Sequence, residues 1–344
     1  MGIDTLLNNI MHPPVLFFFL GLLAILVKSD LEIPPQIGKF LSLYLLFDIG
    51  IKGGEELFHS GFSFIVVKVV IACLLLSFII PFVVYKVLRL KLDIHNAGAI
   101  AATYGSISAV TFATSVSFLE SSGVKFGGYM VAGMALMESP AIIAGLILIG
   151  LGLKSKKSNM DKQSVEMSVI DEDESAESNR SMKTILHEAC FNGSVFLLIG
   201  SLVIGILSGT AGEEELRPFV TDIFKGMLSF YMLDMGLLAG KRLGELRKSG
   251  PSLIIFALLY PVVFSFVGIA VSALIGLEAG DALLMTVLTA SASYIAVPAA
   301  MRISVPKANM SLLLPMSLGV TFTFNVTLGI PMFYSMINFF WSAV

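Results

Sequence analysis

The stretch Asn96 to Thr114, NAGAIAATYGSISAVTFAT, returns near the other end of the chain as Asp281 to Ala300, DALLMTVLTASASYIAVPAA. At one offset, Asn96-Ala97 falls on Asp281-Ala282 and Ser106-Ile107-Ser108 on Ser291-Ala292-Ser293. Each copy opens on a polar residue suited to starting a helix and runs on through apolar positions. Each then sets small and hydroxylated residues where a membrane helix should be most apolar. A Gly/Ser-interrupted segment at corresponding places in two halves is the mark of a site built from broken helices. Such faces also serve as close helix-packing surfaces, and one copy alone reads that way. Two copies in register favour the broken-helix site.

Composition fixes the solvent. Hydrophobic residues make up 56% of the chain and charged residues 14%, where a soluble domain carries roughly 25% charged residues. An all-α polytopic membrane protein follows. The net charge of -3 offers nothing to nucleic acid. Cys73 and Cys190 lie in apolar runs and read as small hydrophobes, not as a disulfide framework. No basic region precedes Pro13-Pro14, so no cleavable signal peptide is expected. His12, His59, His95 and His187 are scattered, and no zinc spacing, catalytic triad or nucleotide loop accompanies them. The chain is not expected to be an enzyme.

Ten spans can be read, at about 14–28, 37–57, 63–88, 96–119, 126–153, 185–209, 219–240, 252–275, 281–301 and 309–342, each near the ~20 residues that a bilayer requires. The last is long enough for a break near Pro315 or a kink at Pro331. Residues 1–153 form the first half and 185–344 the second. The polar tract 154–184 between them, lysine-bearing around Asp171-Glu172-Asp173-Glu174, reads as a mobile linker.

The halves look duplicated in a second place. Leu41-Ser42-Leu43-Tyr44-Leu45-Leu46-Phe47-Asp48-Ile49-Gly50 matches Leu228-Ser229-Phe230-Tyr231-Met232-Leu233-Asp234-Met235-Gly236 after one gap, with Gly54 and Gly240 following. With an odd number of spans per half, the second copy enters the bilayer from the opposite side, giving two inverted 5+5 repeats. Charge agrees with this arrangement if both termini lie outside. Of the 22 basic residues, all but Lys52, Lys68, Lys125, Arg217 and Lys225 then fall on the inner side, and the linker is cytoplasmic.

If the fourth and ninth spans break at Gly105-Ser106 and Ser291-Ala292-Ser293, two half-helices present free N–H groups and positive dipole ends at mid-membrane. Such ends favour an anion. Hydroxyls of Ser106, Ser108, Ser291 and Ser293 can add hydrogen bonds. Freed carbonyls, with Thr111, Thr114 or a nearby carboxylate, offer oxygen to a small hard cation. Glu138, beside Pro140 in the fifth span, is functional by default at that depth, unless it reaches water from a helix end. Asp48 has Lys52 one turn on, which suggests a local ion pair. Asp234 has no such neighbour, and both aspartates are equally compatible with marking interfaces.

Five segments then carry a resemblance. Gly50-Ile51-Lys52-Gly53-Gly54, Tyr104-Gly105-Ser106-Ile107-Ser108, Gly244-Glu245-Leu246-Arg247-Lys248, Ser291 to Pro298 and Val305-Pro306-Lys307-Ala308-Asn309 resemble, in this order, the SbtA family of sodium-dependent bicarbonate transporters. The likeness covers essentially the whole chain, including a variable linker between halves. It implies a homotrimer in the cell (inner) membrane that imports bicarbonate with sodium. A core domain of spans three to five and eight to ten would move, elevator-fashion, against a gate domain of spans one, two, six and seven. The anion would lie among Gly105, Ser106, Ile107, Ser108, Ala109, Ser291, Ala292, Ser293, Tyr294 and Ile295, with sodium near Ser108, Thr111, Glu138 and Ser293. Cyanobacterial members are also inhibited by a PII-like cytoplasmic partner, SbtB, which implies a candidate regulator here.

The chain departs from the cyanobacterial pattern. Ser293-Tyr294-Ile295 stands where those members read Ser-Asp-Ile, Ser108-Ala109-Val110 where they read Ser-Gly-Ser, and Glu138-Ser139-Pro140 where they read Asp-Ile-Pro. An anion site made of amides and small residues survives these changes. The cation site loses a hard ligand at Tyr294, so either Glu138 compensates or the coupling ion or solute differs. The alternatives are another small anion, with proton coupling through Glu138, or a non-transporting membrane sensor working through its linker.

Overall fold

The computed structural model describes residues 11–61, 63–163, 193–246 and 250–342, and every regular element among them is helical. Proline and glycine set most of the boundaries. Helix α1 (Pro13–Leu26) starts on a proline pair, whose missing N–H costs nothing at a first turn. It closes through Lys28 in the left-handed region at φ 57°. Helix α2 (Pro35–Ser60) also starts on proline and ends at Gly61, φ 68°, running straight through Glu55 and Glu56. Helix α3 (Phe64–Leu88) follows, with Pro81 inside it.

The next stretch divides. Helix α4 (Ile94–Gly105) and helix α5 (Ala109–Ser121) are separated by Ser106-Ile107-Ser108 in extended backbone. Helix α6 (Tyr129–Gln163) continues into the polar tract as far as residue 163. The rest of the expected linker, the start of the expected sixth span and Cys190 lie outside the described residues. Helix α7 (Gly193–Arg217) kinks at Gly209, φ 51°, and a π-helical turn, Pro218–Asp222, joins it to α8 (Phe224–Leu246). Helix α9 (Pro251–Ile275) ends on Gly276, φ 80°. Helices α10 (Ala279–Ala290) and α11 (Ala296–Ser304) flank the second interruption.

The last run differs from expectation. Helix α12 (Met310–Leu314) passes without a break into π-helical turns at Pro315–Phe322 and Asn325–Gly329 and on to α13 (Ile330–Trp341). Pro315 cannot donate to the ladder, and the run absorbs it by widening its turns instead of stopping.

Seven helical stretches among the described residues are long and apolar enough to cross a membrane, which makes this a multi-pass membrane protein. The interrupted stretch Ile94–Ser121 is the most enclosed of them, 94% buried, against 33% for the α9 span. A span rich in small polar residues is thus kept from lipid, while the aliphatic faces of α3 and α9 are exposed. The helices group by contact: α1 lies along α8 and α2 along α7, while α3, α4 and α6 pack together and α9 packs on α10. Glycine makes the first two contacts possible. A Cβ on Gly54 would stand 2.8 Å from the Gly205 Cα, and one on Gly236 would stand 3.0 Å from the Gly21 Cα. Backbone approach of this kind is how membrane helices gain packing without a hydrophobic drive.

Candidate functional site

Each interruption has a local cause. Gly105, the last residue of α4, lies against the ring of Pro81, where any side chain would collide, and 3.4 Å separates its would-be Cβ from that of Ala141 on α6. Ser108 then restarts the chain as a helix, its hydroxyl accepting from the Thr111 amide at 3.1 Å. On the other side α10 stops at Ala290, Ser291 is extended, Ala292 and Ser293 follow outside any helix, and Tyr294 and Ile295 turn the chain into α11. The Ser293 hydroxyl faces the amide of Val297, the second residue of α11, at 3.4 Å.

The two interruptions touch. The Ser293 amide donates to the Thr103 carbonyl at 2.9 Å, and the Ser108 amide reaches the Ser291 hydroxyl at 3.4 Å. Ser106, Ile107, Ser108, Ser291, Ala292 and Ser293 are all buried. The Tyr294 hydroxyl approaches that of Ser108 without a well-formed hydrogen bond, and its ring packs edge-on against Phe322 at 5.1 Å. Ala109 begins α5 at the rim of this cluster, whereas Ile295 is 39% exposed and turns away from it. Thr111 lies one turn inside α5, fully enclosed. Glu138 sits half-buried on α6, a turn before the Ala141 that packs on Gly105.

Carbonyls and amides are treated differently here. The carbonyls at the ends of α4 and α10 are engaged by neighbouring donors. The Tyr260 hydroxyl lies 2.7 Å from the Tyr104 carbonyl and 2.8 Å from that of Thr289, and Asn325 Nδ2 donates to the Ala290 carbonyl at 2.9 Å. The Tyr104 hydroxyl is held in turn by Thr321 at 2.8 Å. The first amides of α5 and α11, by contrast, have no acceptor within their own helices beyond the two serine caps. For a hard cation, the available oxygens are the Ser106 and Thr111 hydroxyls and Asn325 Oδ1, each buried with no hydrogen-bond partner among the described residues. They suit sodium in type, being small, uncharged and oxygen.

The two halves also pin each other. Asn96 Oδ1, at the start of α4, accepts from the Asn309 amide at 2.7 Å, and Asp281 Oδ1, at the start of α10, accepts from the Gly127 amide at 2.6 Å. The Tyr129 hydroxyl also donates to Asp281. Sequence reasoning missed Tyr260, Tyr104, Thr321 and the Asp281–Tyr129 pair. Their signal was a tyrosine or threonine alone in an apolar run, which marks an internal partner without saying which one.

A family model for the Na+-dependent bicarbonate transporter superfamily matches residues 13–338. No curated protein matches the sequence.

Proposed function

The chain belongs to the Na+-dependent bicarbonate transporter superfamily, and from that premise we propose that it imports bicarbonate together with sodium, by alternating access of an elevator type. It is a membrane transporter and not an enzyme. The observation that carries the reading is the contact between the two interruptions, made by Ser293 N on Thr103 O and Ser108 N on Ser291 Oγ. It brings two helix N-termini and four serines into one buried place, where a small planar anion can accept from amides and hydroxyls at once. Bicarbonate fits that demand, with three oxygens around one carbon and a single charge.

The proposal extends to ten spans in two inverted repeats. The reciprocal hydrogen bonds accepted by Asn96 and Asp281 support it, since these residues align in sequence and each ties the other half. It takes spans three to five and eight to ten as the moving core, and one, two, six and seven as the gate. The α1–α8 and α2–α7 pairs favour that division. Both termini outside, a cytoplasmic linker, a homotrimer and a PII-like regulator of the SbtB type complete the reading.

The test is uptake of labelled bicarbonate into proteoliposomes, with and without an inward sodium gradient. Uptake that appears only with sodium supports the reading, and Ser108→Ala and Ser293→Ala should each weaken it while leaving expression intact. Equal uptake in both conditions removes sodium coupling. Uptake driven by a pH jump without sodium would instead point to the proton-coupled alternative.

A further inference from the structure

An unbroken helix pairs each carbonyl with the amide four residues on. The Tyr104 carbonyl would then take the Ser108 amide, and the Thr289 carbonyl the Ser293 amide. Both amides go elsewhere. The Ser108 amide reaches the Ser291 hydroxyl at 3.4 Å, and the Ser293 amide donates to the Thr103 carbonyl at 2.9 Å. Each has crossed to the other half and left its own carbonyl behind.

One side chain answers both of those carbonyls. The Tyr260 hydroxyl, on α9, lies 2.7 Å from the Tyr104 carbonyl and 2.8 Å from that of Thr289. All three residues are buried, where a carbonyl left without a donor is costly.

Tyr260 is itself held in place. Pro261, the next residue, has no N–H, so the Ala257 carbonyl one turn back lacks its helical donor. The Thr321 hydroxyl supplies that donor at 2.7 Å. With its proton engaged there, Thr321 accepts from the Tyr104 hydroxyl at 2.8 Å. Tyr104 therefore gives a proton toward the anchor of α9 and takes one from α9 on its carbonyl. The rings agree with this arrangement. Tyr104 meets Tyr260 edge-on at 4.5 Å, and Phe264 stacks on Tyr260 at 4.4 Å.

We propose that Tyr260 is the positioning residue that keeps both helices broken. By occupying the two carbonyls, its hydroxyl stops the Ser108 and Ser293 amides from returning to their own helices, and the interruptions stay open. It acts through the two breaks, not on the solute. Its bearing on transport rests on the proposed anion site at the interruptions.

The experiment is hydrogen–deuterium exchange of the purified full chain in detergent, read on peptides covering 104–112 and 289–297. Tyr260→Phe keeps the ring and its packing and removes only the hydroxyl. Each carbonyl then regains its amide, and exchange in both segments should slow roughly tenfold. Damage to packing alone would speed exchange, so unchanged or faster exchange overturns the assignment. Ser291→Ala removes the present acceptor of the Ser108 amide and leaves Tyr260 in place, so exchange over 104–112 should not slow. Slowing there would mean that the serine, not Tyr260, keeps the break, and it too overturns the assignment. In proteoliposomes Tyr260→Phe should need at least about fivefold more bicarbonate for half-maximal uptake. A wild type without bicarbonate uptake, beside slowed exchange in the variant, removes the transport reading and leaves the role of Tyr260 standing.

Discussion

Two aspartates at equivalent places in the halves meet opposite fates. Asp48 shares Lys52 with Glu120, whose carboxylate lies 3.5 Å from the same ammonium, and the lysine also sits 4.0 Å above the Phe224 ring. Three helices, α2, α5 and α8, thus converge on one cation. Asp234 meets the Gly38 backbone instead. The aligned positions share a carboxylate on a helix, while the charge balance around it differs. A similar split appears at the helix starts. Asp93 caps α4 by accepting from the His95 and Asn96 amides, whereas Glu278, before α10, makes no such bond.

Lys52→Leu turns the first half into the likeness of the second and should have the largest effect. It strands Asp48 in a fully buried site, at a cost of about 3–5 kcal/mol in unfolding from mixed micelles. Adding Asp48→Asn should recover most of that. A loss below about 1 kcal/mol would mean that Asp48, too, manages without a fixed cation. Next come the glycine contacts. Gly54→Ala and Gly236→Ala should each cost about 1–3 kcal/mol, because both force apart backbones already in contact. If one is silent and the other severe, the α2–α7 and α1–α8 pairs are not equivalent.

The smallest effects belong to the caps. Asp93→Ala should cost about 1 kcal/mol, and Glu278→Ala should stay within about 0.5 kcal/mol. The Asp93 difference should also depend on pH. Burial pushes its carboxyl up, but bonds from Asn96 and His95 outweigh this and hold it below its ordinary 3.8. Stability from a carboxyl lowered in this way is present above the unfolded value and lost as pH falls through the folded one. The gap between wild type and Asp93→Ala should therefore close on acidification below that range. A gap that persists in acid would assign the effect to helix propensity alone.

The interruptions were legible because their chemistry is local. Gly105 with its serines, and Ser291 with Ser293, carry the small size and backbone-competing hydroxyls that favour a helix end. Asp48 and Lys52 were legible too, being one turn apart. Tyr260 was not. Its partners, Tyr104 and Thr289, are distant in the chain, and a single hydroxyl in α9 says nothing about which carbonyls it will meet. The lack of a partner for Asp234 could be read from its neighbours on α8, but the Gly38 backbone on the opposing helix could not. Pro315 misled for a related reason. Proline reports a missing donor, and whether the chain responds with a break or a wider turn depends on what packs against it.

The Tyr260 hydroxyl has one hydrogen and faces two carbonyls. Breaking a helix cuts its dipole into two poles, and a crossed pair of broken helices gathers four of them in one region. The two negative poles, at the ends of α4 and α10, are quenched by the protein's own donors on Tyr260 and Asn325. The two positive poles keep their field. The crossing thus separates charge, with its carbonyl ends answered by donors and its amide ends left electropositive. Sharing one hydrogen also couples the two negative poles: if α4 slid along α10, one carbonyl would lose the donor it shares, which opposes separate movement of the two breaks.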